Sequence, residues 1–232
     1  MRVAIMQPYF FPYIGYFQLI GAVDLFIVYD NIKYTKKGWI NRNRMLQTGK
    51  DVMFSLPLRS DSNSLDIRDR ALAADFNPDK LLNQLRGAYS RAPNFAAVFD
   101  MVERAIRYPD TNLFAYLHHA LSRCYEYLGL TTPVRVSSTV EIDHDLRNQD
   151  KVIALARAVG ATTYVNAIGG LELYDREAFE AQGLELKFIR SKPFEYPQFG
   201  APFVPWLSII DVLMFNPLEA VCATVSSHYD LA

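Results

Sequence analysis

Between Lys36 and Arg44 the chain reads KKGWINRNR, four cations set around one tryptophan. Ammonium and guanidinium groups at that density suit a phosphate or diphosphate, and the indole of Trp39 offers a wall for a base or a sugar. Lys36, Lys37 and Arg42 are candidate phosphate ligands, and Asn41 and Asn43 candidate readers of hydroxyls. The bland alternative is a basic surface loop. A tryptophan embedded among cations is an odd choice for an inert loop, so the reading leans to binding.

Other chemistry-bearing residues fall where apolar runs end. Gln7-Pro8-Tyr9 leaves the first such run, and Gln7 can hold a substrate amide or hydroxyl, or simply cap the turn. Asp30 closes the second run and can orient an amine or act as a general base, or cap the turn with Asn31. Ser137 and Ser138 offer hydroxyls to a phosphate, with a plain turn as the alternative. At Asn166 to Gly170 an asparagine supplies polar recognition, Gly169 and Gly170 permit close backbone approach, and Tyr174 lies just beyond. Tyr13-Ile14-Gly15-Tyr16 opens a helix, where Gly15 lets a phosphate or strand come close. Tyr13, Tyr16, Phe17 and Ile20 also fall at i, i+3, i+4 and i+7, the stripe of an amphipathic helix. His118, His119, His144 and His228 have no motif around them, and no serine or cysteine has a sequence neighbour that argues for nucleophilic catalysis.

The elements that must position these residues read as follows. Residues 2–6 are a buried strand, 13–23 a helix and 25–29 a second strand, the opening of a parallel sheet with its turn at the strand's carboxyl end. A long polar loop then runs to Lys50, and 51–58 is strand. Residues 60–66 (SDSNSLD) form a turn-rich break. Helices are expected at 80–90, 95–107 and 113–128, the last capped by Thr111 or Asn112. Strand returns at 134–137, helix at 150–159 with Gly160 after it, and strand at 163–167. A short helix covers 175–182, and 184–189 is the last clear strand. A proline- and aromatic-rich loop runs to Pro205. Residues 207–225 are helical, broken near Pro217, with Ser208 as N-cap and Asp211 completing a capping box. The expectation is one α/β domain over residues 1–232, a Rossmann-like parallel sheet with a helical insertion at 78–130 and a C-terminal helical region.

A formal net charge of -1 argues against a surface built to coat nucleic acid. The two cysteines fall in apolar helical stretches, as reduced core residues would. No Cys/His spacing suggests a transition metal, and no apolar stretch approaches a membrane span. A cytoplasmic protein is the expectation.

The opening MQPYFFPYIGYFQLIGAVDLFIVYDNIKYTKKGWINRNRM closely resembles the WbqC-like family, and the resemblance continues in Ser137-Ser138, TYVNAIGGLELYD and LSIIDVLMF. It implies a place in surface-polysaccharide synthesis, with transfer of an acyl or aminoacyl group, glycyl among them, to an amino sugar. Tyr13-Ile14-Gly15-Tyr16 also resembles the His-x-Gly-His signature of nucleotidylyltransferases and pantothenate-synthetase-like ligases, with Tyr13 and Tyr16 standing where the ATP-contacting histidines would be. That likeness implies ATP and Mg²⁺ and activation through an acyl-adenylate, with Tyr13 and Tyr16 at the α-phosphate. Tyrosine donates a hydrogen bond there but brings no positive charge near neutral pH. The alternatives are a non-catalytic sugar-nucleotide-binding partner in polysaccharide assembly, and transfer from a thioester or aminoacyl-tRNA donor.

Overall fold

The computed structural model describes residues 1–62, 64–200 and 202–232; Asn63, within the expected break at 60–66, and Ala201, within the proline-rich loop, lie outside the described residues. The elements run β1 (Arg2–Met6), α1 (Ile14–Gly21), β2 (Leu25–Val28), β3 (Arg42–Gln47), β4 (Lys50–Ser55), α2 (Pro78–Tyr89), α3 (Phe95–Ile106), α4 (Leu113–Tyr127), β5 (Val134–Val136), α5 (Asn148–Ala158), β6 (Thr163–Ala167), α6 (Arg176–Glu180), β7 (Glu185–Ser191), α7 (Ile209–Phe215), α8 (Leu218–Ser227) and β8 (Tyr229–Leu231).

Six strands form one sheet in the order β5-β2-β1-β6-β7-β8, parallel except for β8. Counted within the sheet this is 3-2-1-4-5-6, the order of the doubly wound dinucleotide-binding fold. The α/β class and the mostly parallel, helix-flanked sheet are as the sequence leads one to expect. Strands covered on both faces read as unbroken apolar runs, and β1 divides its side chains between two cores. Ala4 joins Phe26, Val28 and Val165 against α1. Val3 and Ile5 join Ile27, Tyr164 and Phe188 against α5 and α6. Helices α2, α3 and α4 pack into the first of these cores, through Leu85, Val102 and Leu117 among others.

Three expectations are corrected. The loop expected to reach Lys50 folds over its second half into a hairpin, with β3 and β4 antiparallel and Arg42 facing Ser55. Thr48 and Gly49 both take positive φ (49° and 75°), as a tight two-residue turn demands. The polar string RNR hid the strand, because Asn43 is buried and bonds the Phe10 carbonyl at 3.2 Å instead of facing water. Residues 184–189 are not the last strand: β8, only three residues long, pairs with the edge of β7. Ser208 does cap α7, accepting from the Ile210 amide at 3.2 Å, but Asp211 completes no capping box.

Asp211 is fully buried and accepts from Tyr196 (2.6 Å), Gln198 (2.8 Å) and Tyr89 (2.9 Å), while the Tyr89 hydroxyl also accepts from the Leu46 amide at 2.9 Å. One carboxylate thus fastens α7, α2, β3 and the proline-rich loop. Burial pushes its pKa up and the three donors pull it back. Both cysteines are free, and no helix among the described residues is long and apolar enough to cross a membrane. Asp211→Ala removes the acceptor shared by Tyr89, Tyr196 and Gln198, of which Gln198 keeps the Val204 carbonyl, and is expected to lower the unfolding free energy by about 3 kcal/mol in urea denaturation; a loss below about 1 kcal/mol would show the network to be dispensable.

Candidate functional site

On either side of β1 the sheet's connections go to opposite faces, and ligands in such folds bind at the carboxyl ends of the diverging strands. A cleft of about 1590 Å³ opens there, bounded by the ends of β1, β2 and β6, the first turn of α5, and the 3-10 turn Ile168–Leu173. Gln7, Tyr9, Tyr13, Gly15, Tyr16, Trp39, Asn166, Gly169, Gly170 and Tyr174, all singled out by their types and spacing, line it.

Asn166 is 5% exposed, and neither its amide nor that of Gln7 has a hydrogen-bond partner among the described residues. Neither amide is sealed from solvent, so water or a ligand can complete both. Gly170 makes room for that asparagine: a Cβ there would collide with the Asn166 amide nitrogen. Gly169 has no such neighbour, so the close approach expected of the pair belongs to Gly170 alone. Gly15 also answers to a neighbour other than the expected phosphate or strand. The ring of Tyr13 folds back over it and occupies the space a Cβ would need.

The tyrosines divide. Tyr16 turns inward, 3% exposed, packed on Phe17 and Phe26 with its hydroxyl donated to the Gln7 carbonyl at 2.9 Å. That bond shapes the opening turn and takes the hydroxyl away from any ligand. Tyr9, Tyr13 and Tyr174 remain on the wall, and burial raises the pKa of each, so they stay neutral donors at ordinary pH.

Asp30 does not line the cleft. It is 3% exposed, and its carboxylate accepts from the Ser137 hydroxyl (2.7 Å), the Ser138 amide (2.9 Å) and the Ser138 hydroxyl (2.7 Å). With its lone pairs so engaged it stitches the end of β2 to the turn after β5, and Ser137 and Ser138 serve that stitch. Asn31 beside it is a hub: its Oδ1 shares the one Ser137 hydroxyl proton with Asp30 (2.7 Å), its Nδ2 lies 2.9 Å from His144 Nδ1, and its carbonyl accepts from Lys151 Nζ at 3.1 Å. When Asn31 donates, the neutral His144 ring carries its proton on Nε2, the nitrogen left for a ligand.

The basic segment contributes Trp39 and little else. Lys36 and Lys37 are exposed and outside the cleft. Arg42 Nε bonds the Gly38 carbonyl (3.0 Å), Asn41 joins the Tyr34 hydroxyl to the Leu56 carbonyl, and Asn43 sits in the hairpin. These side chains hold the loop that carries Trp39. The cations lining the cleft are Lys33, Arg147 and Lys151, among the carboxylates of Asp66, Asp145, Asp150, Glu172 and Asp175. Lys151, 6% exposed, has its pKa lowered by burial, with Asp66 and Asp30 opposing and Arg68 and Arg147 reinforcing. No side chain caps α5, so its first backbone N–H groups stay open to water or an anion. His144, Arg147 and Lys151 escaped sequence reasoning; the available signal was the helix expected between two parallel strands, whose start falls at the sheet's carboxyl edge.

Gly170→Ala is expected to displace Asn166 and cost about 1–3 kcal/mol by overpacking, whereas Gly169→Ala is expected to be near neutral. Thermal unfolding of the two variants checks this, and equal effects would remove the special role given to Gly170.

Compared with known proteins, the chain matches no solved structure. It is 28% identical over 218 residues to the uncharacterized protein Rv1507c of Mycobacterium tuberculosis, covering 93% of each chain. The model of the WbqC-like protein family matches residues 7–223, which include the opening turn, the hub at Asn31, the first turn of α5 and the Asn166 bend. The chain belongs to the WbqC-like protein family.

Proposed function

We propose that this chain transfers a small acyl or aminoacyl group, glycyl among the candidates, to the amine of a nucleotide-linked amino sugar during surface-polysaccharide assembly. Membership of the WbqC-like family suggests a role in polysaccharide or sugar biosynthesis. The observation that carries the finer reading is the pair of unpartnered amides, Gln7 and Asn166, beside a wall of mixed charge at the sheet's reversal point. Amides read hydroxyls and acyl groups. Lys33, Arg147, Lys151 and the uncapped start of α5 suit phosphates, while Asp66 and Asp145 suit an ammonium. A nucleotide-linked amino sugar carries all three kinds of group.

Amide formation needs an activated carboxyl. With ATP as the source, the acid's carboxylate attacks the α-phosphorus and pyrophosphate leaves. The sugar amine then attacks the acyl carbon, AMP departs, and the amine's proton passes to a base. His144, with Nδ1 engaged by Asn31, presents Nε2–H as a donor, so the amine's proton passes to water or to a carboxylate of the wall. The enzyme's share is positioning and charge stabilisation, with Tyr9, Tyr13 and Tyr174 as neutral donors to developing negative charge. Among the described residues no group of three or more His, Cys, Asp or Glu could hold a metal ion. Magnesium on this reading travels with the ATP phosphates and meets one or two carboxylates of the wall.

Tyr16 favours a second reading. Its buried hydroxyl is committed to the Gln7 carbonyl, so one of the two positions where ATP-using ligases carry histidine has nothing to offer a phosphate. That speaks for a preactivated donor, thioester or aminoacyl-tRNA, or for a sugar-nucleotide binder without catalysis.

Incubation with ATP, Mg²⁺, glycine and nucleotide-linked amino sugars is expected to yield AMP and an acylated sugar, with at least a tenfold loss of rate in Asn166→Ala. Thermal shift separates the readings. A sugar nucleotide at about 100 times Kd should raise Tm by roughly 5–10 °C; no product from any acid, thioester or aminoacyl donor despite that shift would leave the binder, and no shift at all would remove both.

A further inference from the structure

The chain has two tryptophans, and both stand at one end of the cleft. Trp39 lines the cleft itself. Trp206 faces a side chamber of about 180 Å³ that it shares with Tyr9, Pro12, Tyr13, Trp39 and Arg44. Tyr9, Tyr13 and Trp39 line both spaces, so the chamber adjoins the main cleft.

Both indoles are exposed, Trp39 by 38% and Trp206 by 60%, although tryptophan ordinarily gains much by burial. Trp206 also holds φ at 60°, a left-handed backbone that a bulky side chain rarely adopts. Strain of this kind persists only where the surroundings enforce it, and here they do. Arg44 Nη2 donates to the Trp206 carbonyl at 2.9 Å, and the Ser208 amide donates to the Arg44 carbonyl at 2.9 Å. The Tyr13 ring meets the Trp206 indole edge-on, centroids 6.0 Å apart. The same arginine lies 5.5 Å from the Trp39 centroid, with Asp51 fixing its Nη1 at 3.2 Å. One guanidinium therefore sets the position of both indoles.

Resting on the nucleotide-sugar reading above, we propose that Trp39 and Trp206 form a stacking subsite for the nucleobase. Tyr9, Tyr13, Trp39 and Trp206 make most of the chamber's wall, which favours a base over a sugar ring. Both Arg44 Nη atoms are engaged, by Asp51 and Trp206, and the Asn43 amide by Phe10 and the Arg44 backbone, leaving the Tyr9 and Tyr13 hydroxyls as donors at the rim. A pyranose ring brings hydroxyls that need partners, and those partners, Gln7 and Asn166, stand in the main cleft. A base needs only a π-face, which an aromatic platform supplies whichever base it is.

Both tryptophans sit at this end of the cleft, so intrinsic fluorescence reports it, and Trp39→Ala, with Trp206 as its one indole, reports the chamber alone. Uridine, cytidine, guanosine and thymidine diphosphates and glucosamine 1-phosphate are titrated into wild type, Trp206→Ala and Trp39→Ala, with calorimetry in parallel. At least one nucleoside diphosphate is expected to quench the emission saturably. Trp206→Ala should weaken its binding roughly 5- to 150-fold and leave glucosamine 1-phosphate unaffected. A nucleoside diphosphate that gives binding heat without quenching, and with equal affinity in both variants, overturns the subsite while sparing the proposed function. Glucosamine 1-phosphate quenching instead assigns the chamber to the sugar and overturns the assignment to the base. Neither heat nor quenching with any probe overturns both proposals.

Discussion

Strand β1 has a parallel neighbour on each side, and the connections to those neighbours leave in opposite directions. This one topological constraint makes the cleft. A right-handed crossover to β2 places α1 on one face, while the segment before β6 places α5 on the other. No connection spans the carboxyl end of β1, so the ends of β1, β2 and β6 surround open space. Strand ends bring Gln7 and Asn166, the start of α5 brings Lys151, and the loops between bring Lys33, Trp39, Asp66 and His144.

Rigidity of the cleft's far wall comes from a knot of short polar contacts. Asp30 fastens the ends of β2 and β5 through two serines, and Asn31 passes that order on to His144 and Lys151. Each buried hydrogen bond contributes only about 1 kcal/mol net, but an abandoned partner costs more than the bond contributes, so the cluster behaves as one unit. It also keeps Lys151 buried with one carbonyl for company, where a phosphate would be a better partner than water. The near wall is built differently, from aromatic rings with neutral hydroxyls. A polar wall and an aromatic wall thus bound a single cleft.

Much of this was legible in the sequence. The apolar runs at 2–6 and 163–167 name their strands directly, and Gln7, Asn166 and Gly170 follow from where those runs stop. Contacts across long chain separations were not legible. Asp30 and the serines at 137 and 138 each read as ambiguous turn residues, because their meaning lies in a bond between residues 107 or 108 positions apart. Lys151 is one residue of the helix expected at 150–159 and His144 has no motif around it; only the fold turns both toward Asn31. The cations at 36 and 37 misled for the opposite reason, since charge density along a chain says nothing of which way side chains face. Trp206 had no spacing signal, its importance arising from a backbone angle and an arginine 162 residues away.

The central claim is that a phosphorylated sugar carrier lies along the cleft from Trp39 to α5. A crystal structure with a bound nucleotide-linked amino sugar tests it most directly. The account predicts the diphosphate within hydrogen-bonding distance of Lys151 Nζ and the first N–H groups of α5, with Asn166 on the sugar or its amine. Diphosphate held by Lys36 and Lys37 on the outside of the hairpin, with Asn166 untouched, would contradict it.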